Sequence, residues 1–217
     1  QVNTLIGTKG VGLTSGYLYP GATYPYGMVQ FTPSYFSKRS GFVINQLSGG
    51  GCEHMGNFPT FPVKGKLKMS PDNILNYRIN ISEEKGHAGY YEAMVQEDIK
   101  AKLTVTERTG MASYEYPADQ QYGTVIIGGG ISATPIEQAA IVITAPNKCE
   151  GYAEGGNFCG LRTPYKVYFV AEFDTDALES GTWKRNELKP NTTFAEGEYS
   201  GVYFTFDVNK KKNIQYK

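Results

Sequence analysis

The chain has 217 residues, enough for one large domain that buries roughly 70% of its unfolded surface. Lys plus Arg and Asp plus Glu number 21 each, so the formal net charge is zero and there is no electrostatic ground for a nucleic-acid or anionic-membrane partner. Only 19% of residues are charged while 13% are aromatic, and Gly (26) with Pro (11) stays short of low complexity, which excludes disorder and coiled coils in favour of a β-rich globular domain.

Gln1 opens the chain with neither a charged n-region nor an apolar h-region, so no signal peptide is expected in it; a first residue other than Met is compatible with one already cleaved. The first sixty residues are punctuated by Gly and interleaved with Pro20, Pro25, Pro33, Pro59 and Pro62. Long loops of this kind on a β scaffold are a usual home for binding residues, and equally are plain connections. Within them Leu47-Ser-Gly-Gly-Gly-Cys-Glu-His-Met-Gly-Asn57 stands out. Consecutive glycines admit positive φ or a close backbone approach to a ligand. Asn45, Gln46, Glu53, His54 and Asn57 flank them with neutral amides, an imidazole and a carboxylate. The spacing is not that of a phosphate loop. It suits a sugar, whose hydroxyls need directional hydrogen bonds and whose C–H face needs an aromatic platform. Architecture is the competing reading of the same loop.

Further along, period-two alternation dominates. Strands are expected at Tyr91 to Gln96, at Ala101 to Glu107, at Tyr114 to Tyr116 and at Val125 to Ile127. Pro135 to Ala140 reads as one helical turn, followed by a strand from Ile141 to Thr144. Cys149 and Cys159 bracket a stretch that reads as a loop closed on itself. A bridge there would contribute roughly 3 kcal/mol by loop entropy, and two free buried thiols are the alternative. Either way Cys52 is left unpaired. Tyr165 to Phe173 puts its odd positions on one face, and Gly201 to Val208 its even ones. After a turn at 209–213 a fresh alternation starts at Ile214 and stops, which reads as a fragment boundary, with a frayed polar tail as the alternative. The fold expected is all-β: a large antiparallel sandwich of two stacked sheets over residues 1–217, with long Gly/Pro-rich N-terminal loops.

No run of about 18 apolar residues exists, so no membrane-spanning segment is expected. His54 and His87 lie far apart, with no HExxH or CxxC, so no metal site is expected in this chain. Neither histidine accompanies a G-x-S-x-G elbow. Glu83, Glu84 and Lys85 read as a solvated face, and Glu107 with Arg108 as a strand-end ion pair. A glycosidase needs two carboxylates about 5 to 9.5 Å apart across the scissile bond, and no pair is assignable here.

Several blocks nevertheless carry a specific resemblance. Val2-Asn-Thr-Leu-Ile-Gly-Thr8 and Tyr19-Pro-Gly-Ala-Thr-Tyr-Pro-Tyr-Gly-Met-Val-Gln30 resemble the opening of the glycoside hydrolase family 92 N-terminal domain. Gly41-Phe42, Leu47-Ser-Gly-Gly-Gly-Cys52 and Gly56-Asn-Phe-Pro59 resemble its next block. Ala88-Gly-Tyr-Tyr91, Ile99 to Gly110, Phe158-Cys-Gly160, Val167 to Asp174 and Gly181-Thr-Trp183 follow in family order.

The resemblance implies a β-sandwich that precedes an (α/α)₆ barrel in a calcium-dependent, inverting exo-α-mannosidase. The barrel of the same polypeptide would supply the acid, the base and most metal ligands, so no catalytic residue is expected here and the fragment alone should be inactive. The N-terminal domain would shape the mannose pocket through Asn45, Gln46, Cys52, Glu53 and His54. The expected ligand is a mannose-containing glycan, and the expected location is exported, in a bacterium. A free-standing carbohydrate-binding sandwich is the alternative. Departures from the family pattern are Ile44-Asn45-Gln46 in place of H-T-H, Asn57 in place of Asp, and a missing upstream Trp for which Tyr35 or Phe36 would substitute.

Overall fold

The computed structural model describes residues 3–8, 18–34, 41–47, 52, 54–72 and 80–217. Seventeen strands are found among the described residues, all paired antiparallel in three sheets.

The first sheet contains β1 (Ala22–Thr23), β2 (Gln30–Pro33), β3 (Phe42–Val43), β4 (Thr60–Lys64), β9 (Tyr122–Ile127), β16 (Ser200–Asp207), β13 (Glu179–Lys184) and β14 (Glu187–Pro190), in that order across it. The second runs β12 (Leu161–Glu172), β11 (Lys148–Phe158), β10 (Ile136–Ala145), β15 (Phe194–Glu196). The third runs β17 (Asn213–Tyr216), β8 (Gly110–Glu115), β7 (Ile99–Val105), β6 (Tyr90–Val95), β5 (Ile81–His87). The all-β antiparallel sandwich expected from the alternation is therefore present, with its strands divided among three ladders.

Alternation and burial agree where a strand has one wet face. In β7 the residues Ile99, Ala101, Leu103 and Val105 are buried and those between are not. In β12, from Tyr165 on, the odd positions turn inward and the even ones outward. β16 departs from the pattern, because both its faces are covered: seven of its eight residues are buried, Gly201, Tyr203 and Thr205 as well as Val202, Phe204 and Phe206. Pro62 sits inside β4 without breaking it. Gly128 N donates to Pro59 O and Gly65 N to Tyr122 O, so alternate residues face β9 and the Pro62 nitrogen faces away. On that side β3 pairs with β4 only at Phe42 and Thr60.

Two sequence expectations are overturned. Pro135 to Ala140 is not a helical turn: Ile136 starts β10, paired with β11. The tertiary ladder overrides a weak local preference. The stretch between Cys149 and Cys159 is not a closed loop but the strand β11. Ten extended residues reach about 33 Å, whereas a disulfide needs Cα atoms within about 7 Å. The C-terminal residues are no frayed tail either: β17 pairs with β8, and Ile214 and Tyr216 are buried.

An aromatic chain runs through the core. Phe42 of β3 lies 6.1 Å from Tyr114 of β8 and 6.4 Å from Tyr91 of β6. Tyr114 lies 5.7 Å from Tyr216, and Tyr216 5.1 Å from Phe173, just past β12. Phe173 meets Phe204 and Phe206 of β16 at 4.9 and 5.1 Å. The row joins the first and third sheets, and through Phe173 it takes in the chain as it leaves β12 of the second. Each well-placed aromatic pair adds about 0.5–1.5 kcal/mol beyond its buried area. Three hydroxyls close the row: Thr60 Oγ1 to Tyr216 Oη at 2.5 Å, Thr60 Oγ1 to Tyr114 Oη at 3.2 Å, and Tyr114 Oη to Tyr216 Oη at 3.0 Å. Nearby, Tyr116 donates its hydroxyl to Thr124 O at 3.0 Å.

Burial pushes the phenols of Tyr114, Tyr116 and Tyr216 up from their ordinary value. A phenol near pKa 10 when unfolded and higher when folded stabilises the fold fully below pH 10 and progressively less above it, because only the unfolded chain releases the proton. Three such groups give a loss of about 4 kcal/mol per pH unit once the unfolded tyrosines ionise. Urea midpoints measured from pH 8 to 11 should hold level up to about pH 9.5 and then fall steeply. A midpoint that is flat to pH 11 would contradict this burial.

Candidate functional site

The segment after β3 leaves the sheet at Ile44 and returns at β4. Its described residues are fixed by two asparagines. Asn45 Nδ2 donates to Asn57 Oδ1 at 3.0 Å, and Asn57 N donates to Asn45 Oδ1 at 2.8 Å. The second bond fixes which end of the Asn45 amide is oxygen. The first then fixes Asn57, whose Nδ2 is left buried with no partner. Asn57 is fully buried and Asn45 half-buried. One N–H and one lone pair of the Asn45 amide remain for a ligand.

The backbone between them is unusual. Met55, Gly56 and Phe58 have φ of 57°, 71° and 54°. Only the glycine takes that region freely, so Met55 and Phe58 must be held there. Ala133 N donates to Met55 O at 2.8 Å, and the Phe58 ring packs 4.0 Å from Phe169 of β12. Tyr19 donates its hydroxyl to Gln46 O at 2.9 Å.

Asn45 lines a cleft of about 440 Å³ where the three sheets meet. Its walls are apolar, from Phe31, Ile44, Phe58, Val167 and Phe169. Its polar groups are Asn45, Thr60, Arg108, Thr109, Tyr168 and Tyr216, with Lys217 at the rim. Among the described residues no carboxylate lines it. This combination can bind a neutral, hydroxyl-bearing ligand through directed hydrogen bonds and ring faces, and the described lining holds no acid and base pair for glycoside cleavage. Arg108 Nε stands 4.0 Å from the Glu107 carboxylate, the strand-end pair read from the sequence.

The other residues singled out in the sequence go elsewhere. Gln46 is 2% exposed and lies outside the cleft lining. Cys52 is not unpaired, and Cys149 does not bond Cys159: the disulfide joins Cys52 to Cys159, with a Cα–Cα distance of 5.4 Å, and Cys149 is free and buried. Burial pushes the Cys149 thiol up, which leaves it unreactive. His54 is half-buried; its Nδ1 lies 3.1 Å from Asn157 O and its ring packs against Phe158 and Tyr165 at 5.1 and 5.5 Å. Glu53, Tyr35 and Phe36 lie outside the described residues. Trp183 is fully buried under Gly201 and offers no platform.

Sequence reasoning missed Asn57 as the partner that orients Asn45. It also missed a second pocket of about 320 Å³ beside the turn at residues 3–8. Thr4 and Gln30 line it, and Thr4 Oγ1 and Gln30 Oε1 are both buried without partners. Among the described residues no group of three or more His, Cys, Asp or Glu is placed to hold a metal ion. No helix among them is long and apolar enough to cross a membrane.

Comparison with known proteins adds the following. The model of the glycosyl hydrolase family 92 N-terminal domain matches residues 1–217. A protein of Arthroderma benhamiae named as an uncharacterized secreted glycosidase is 31% identical over 136 residues, which make up 54% of this chain and 17% of that protein. The family GH92 inverting mannosidase BT2199 of Bacteroides thetaiotaomicron superposes with a TM-score of 0.81 at 23% identity, covering 99% of this chain and 30% of that one. The α-mannosidase BT3965 of the same organism superposes at 0.82 with 23% identity, covering 99% and 32%. At that identity the two structures speak for the fold alone. The chain spans less than a third of the length of each of these relatives.

Replacing Asn45 by Ala removes two hydrogen bonds and leaves the buried Asn57 N–H and carbonyl oxygen unpaired. The expected loss is about 2–3 kcal/mol in urea unfolding. A double-mutant cycle with Asn57→Ala should give a coupling of about 1 kcal/mol or more. Additive losses would mean that the two amides do not hold each other.

Proposed function

This chain belongs to the glycosyl hydrolase family 92 N-terminal domain family, and from that premise we propose that it is the non-catalytic wall of an exo-acting α-mannosidase. The longer polypeptide would remove terminal α-mannosides from glycans, with inversion at the anomeric carbon. The observation that carries this reading is the cleft itself: an oriented amide at Asn45, apolar and aromatic walls, and no carboxylate among its described lining residues. Such a surface orients a sugar and excludes water from it. An inverting displacement also needs an acid and a base roughly 6.5–9.5 Å apart, which the remainder of the polypeptide would supply. The names of the structural neighbours, an inverting mannosidase and an α-mannosidase, agree with the substrate class.

The chain's own part in the reaction is positional. The free N–H and lone pair of Asn45 address two vicinal hydroxyls, as donor to one and acceptor from the other. Tyr168 and the half-buried Phe169 present apolar surface to the C–H face of the ring, with Phe31 and Phe58 buried behind them. Calcium is proposed as a requirement of the complete enzyme. The donor set described here does not fit it, lacking any group of three candidate ligands, so its ligands are assigned to the remainder of the polypeptide. Export is proposed as well: the Cys52–Cys159 disulfide suits an oxidising compartment, and the Arthroderma relative is named as secreted.

The complete polypeptide should release mannose from an α-mannoside, lose turnover in a chelator and regain it with Ca²⁺. This chain alone should show no turnover, and no binding heat with α-mannobiose in a calorimeter. In the complete enzyme Asn45→Ala should raise KM by about tenfold, the size of one lost hydrogen bond to a hydroxyl. Robust hydrolysis by the chain alone would overturn this division of labour, and tight binding by it would instead make it a free-standing carbohydrate-binding module.

A further inference from the structure

Cys52 and His54 do not line the cleft; both reach across to the turn that joins β11 and β12. The disulfide spans 107 residues to Cys159 at that turn. His54 adds a contact to Asn157 O and two ring contacts, to Phe158 and Tyr165. The next residues, Met55, Gly56 and Phe58, hold left-handed backbone that surroundings must impose on the two that are not glycine. Directly after them comes Asn57 with its grip on Asn45. The same β11–β12 hairpin also provides the cleft wall, through Val167 and Phe169 of β12, and Phe169 meets Phe58. Amide and wall are therefore registered to each other through one hairpin, and the covalent tie between its tip and the loop is the disulfide.

We propose that the Cys52–Cys159 disulfide is a positioning device that holds Asn45 in register with the β12 wall, so that its reduction weakens glycan binding; the nature of that ligand rests on the mannosidase reading above. The step balances with a dithiol as reductant. Two electrons and two protons pass to the bridge, the S–S bond breaks to two thiols, and the dithiol closes to its own disulfide. Cys159 is exposed and Cys52 half-buried, so a dithiol in solution can reach the bond. Cys149, buried in the core, stays out of the exchange.

The test compares the complete polypeptide before and after treatment with a dithiol. Thiol titration should find two more accessible thiols in the reduced wild type than in the identically treated Cys52→Ser, Cys159→Ser double variant. Amide exchange over residues 54–60 should quicken by about tenfold or more on reduction. KM for an α-mannoside should rise by about tenfold with kcat changed less than about twofold, the signature of lost positioning in ground and transition state alike. A bridge of merely structural value would lower Tm and leave KM in place. Cys159→Ser should show the raised KM in the absence of reductant and no further response to it, and Cys52→Ser should match it. Unchanged exchange after the bridge is opened overturns the proposal. Quickened exchange with an unchanged KM overturns its link to binding. If the oxidised polypeptide turns over no mannoside at all, the mannosidase assignment fails, and the positioning device is then decided by the exchange measurement alone.

Discussion

Three buried hydroxyls tie two of this molecule's three sheets together. Thr60 comes from β4 in the first sheet, Tyr114 and Tyr216 from β8 and β17 in the third, and each bonds both others. A buried hydroxyl without a partner costs about 1–3 kcal/mol, so the three positions constrain one another. Their rings extend the constraint to Phe42 on one side and to Phe173, Phe204 and Phe206 on the other. Thr60 and Tyr216 also line the cleft, so the knot that fixes the sheets is at the same time the cleft's floor.

The site above that floor follows the same rule at a smaller scale. Asn45 and Asn57 hold each other through two hydrogen bonds and leave one donor and one acceptor on the half-buried Asn45 amide, beside the buried and unpartnered Nδ2 of Asn57. With no carboxylate among the described lining residues, the proposed reading gives the cleft recognition and assigns bond cleavage to groups outside this chain, which spans less than a third of its structural relatives. On that proposal the register between this chain and the rest of the polypeptide matters, and the disulfide bears on that register from this side.

Much of the fold was legible because a strand with one wet face writes its burial as alternation, as β7 and β12 do. β16 was legible only in half, since a strand covered on both faces leaves no such record for Gly201, Tyr203 and Thr205. β11 was misread as a loop because its Gly151, Gly155 and Gly156 look like turn residues, whereas in the ladder Gly151 gives room to the Phe169 ring and to Ala140 O. The Cys52–Cys159 pairing was out of reach of local spacing, because the partners are brought together by the hairpin and not by the chain between them. Of the candidate site, Asn45 was legible by its type and its place beside the glycines, and it lines the cleft. His54 carried the same signal but lies against the Asn157 carbonyl and outside the described cleft lining, since an imidazole beside glycines looks the same in sequence whichever neighbour it meets. Asn57 carried no signal as an orienting partner, for its role exists only once β3 and β4 are paired.

The most direct test of this account is a crystal structure of the complete polypeptide with an uncleaved α-mannoside bound. The account predicts a sugar hydroxyl within about 3 Å of the Asn45 amide, a ring face of the sugar against the aromatic wall, and the scissile oxygen facing carboxylates of the other domain. A sugar bound with Asn45 still paired only to Asn57 and no atom of this cleft in contact would contradict it.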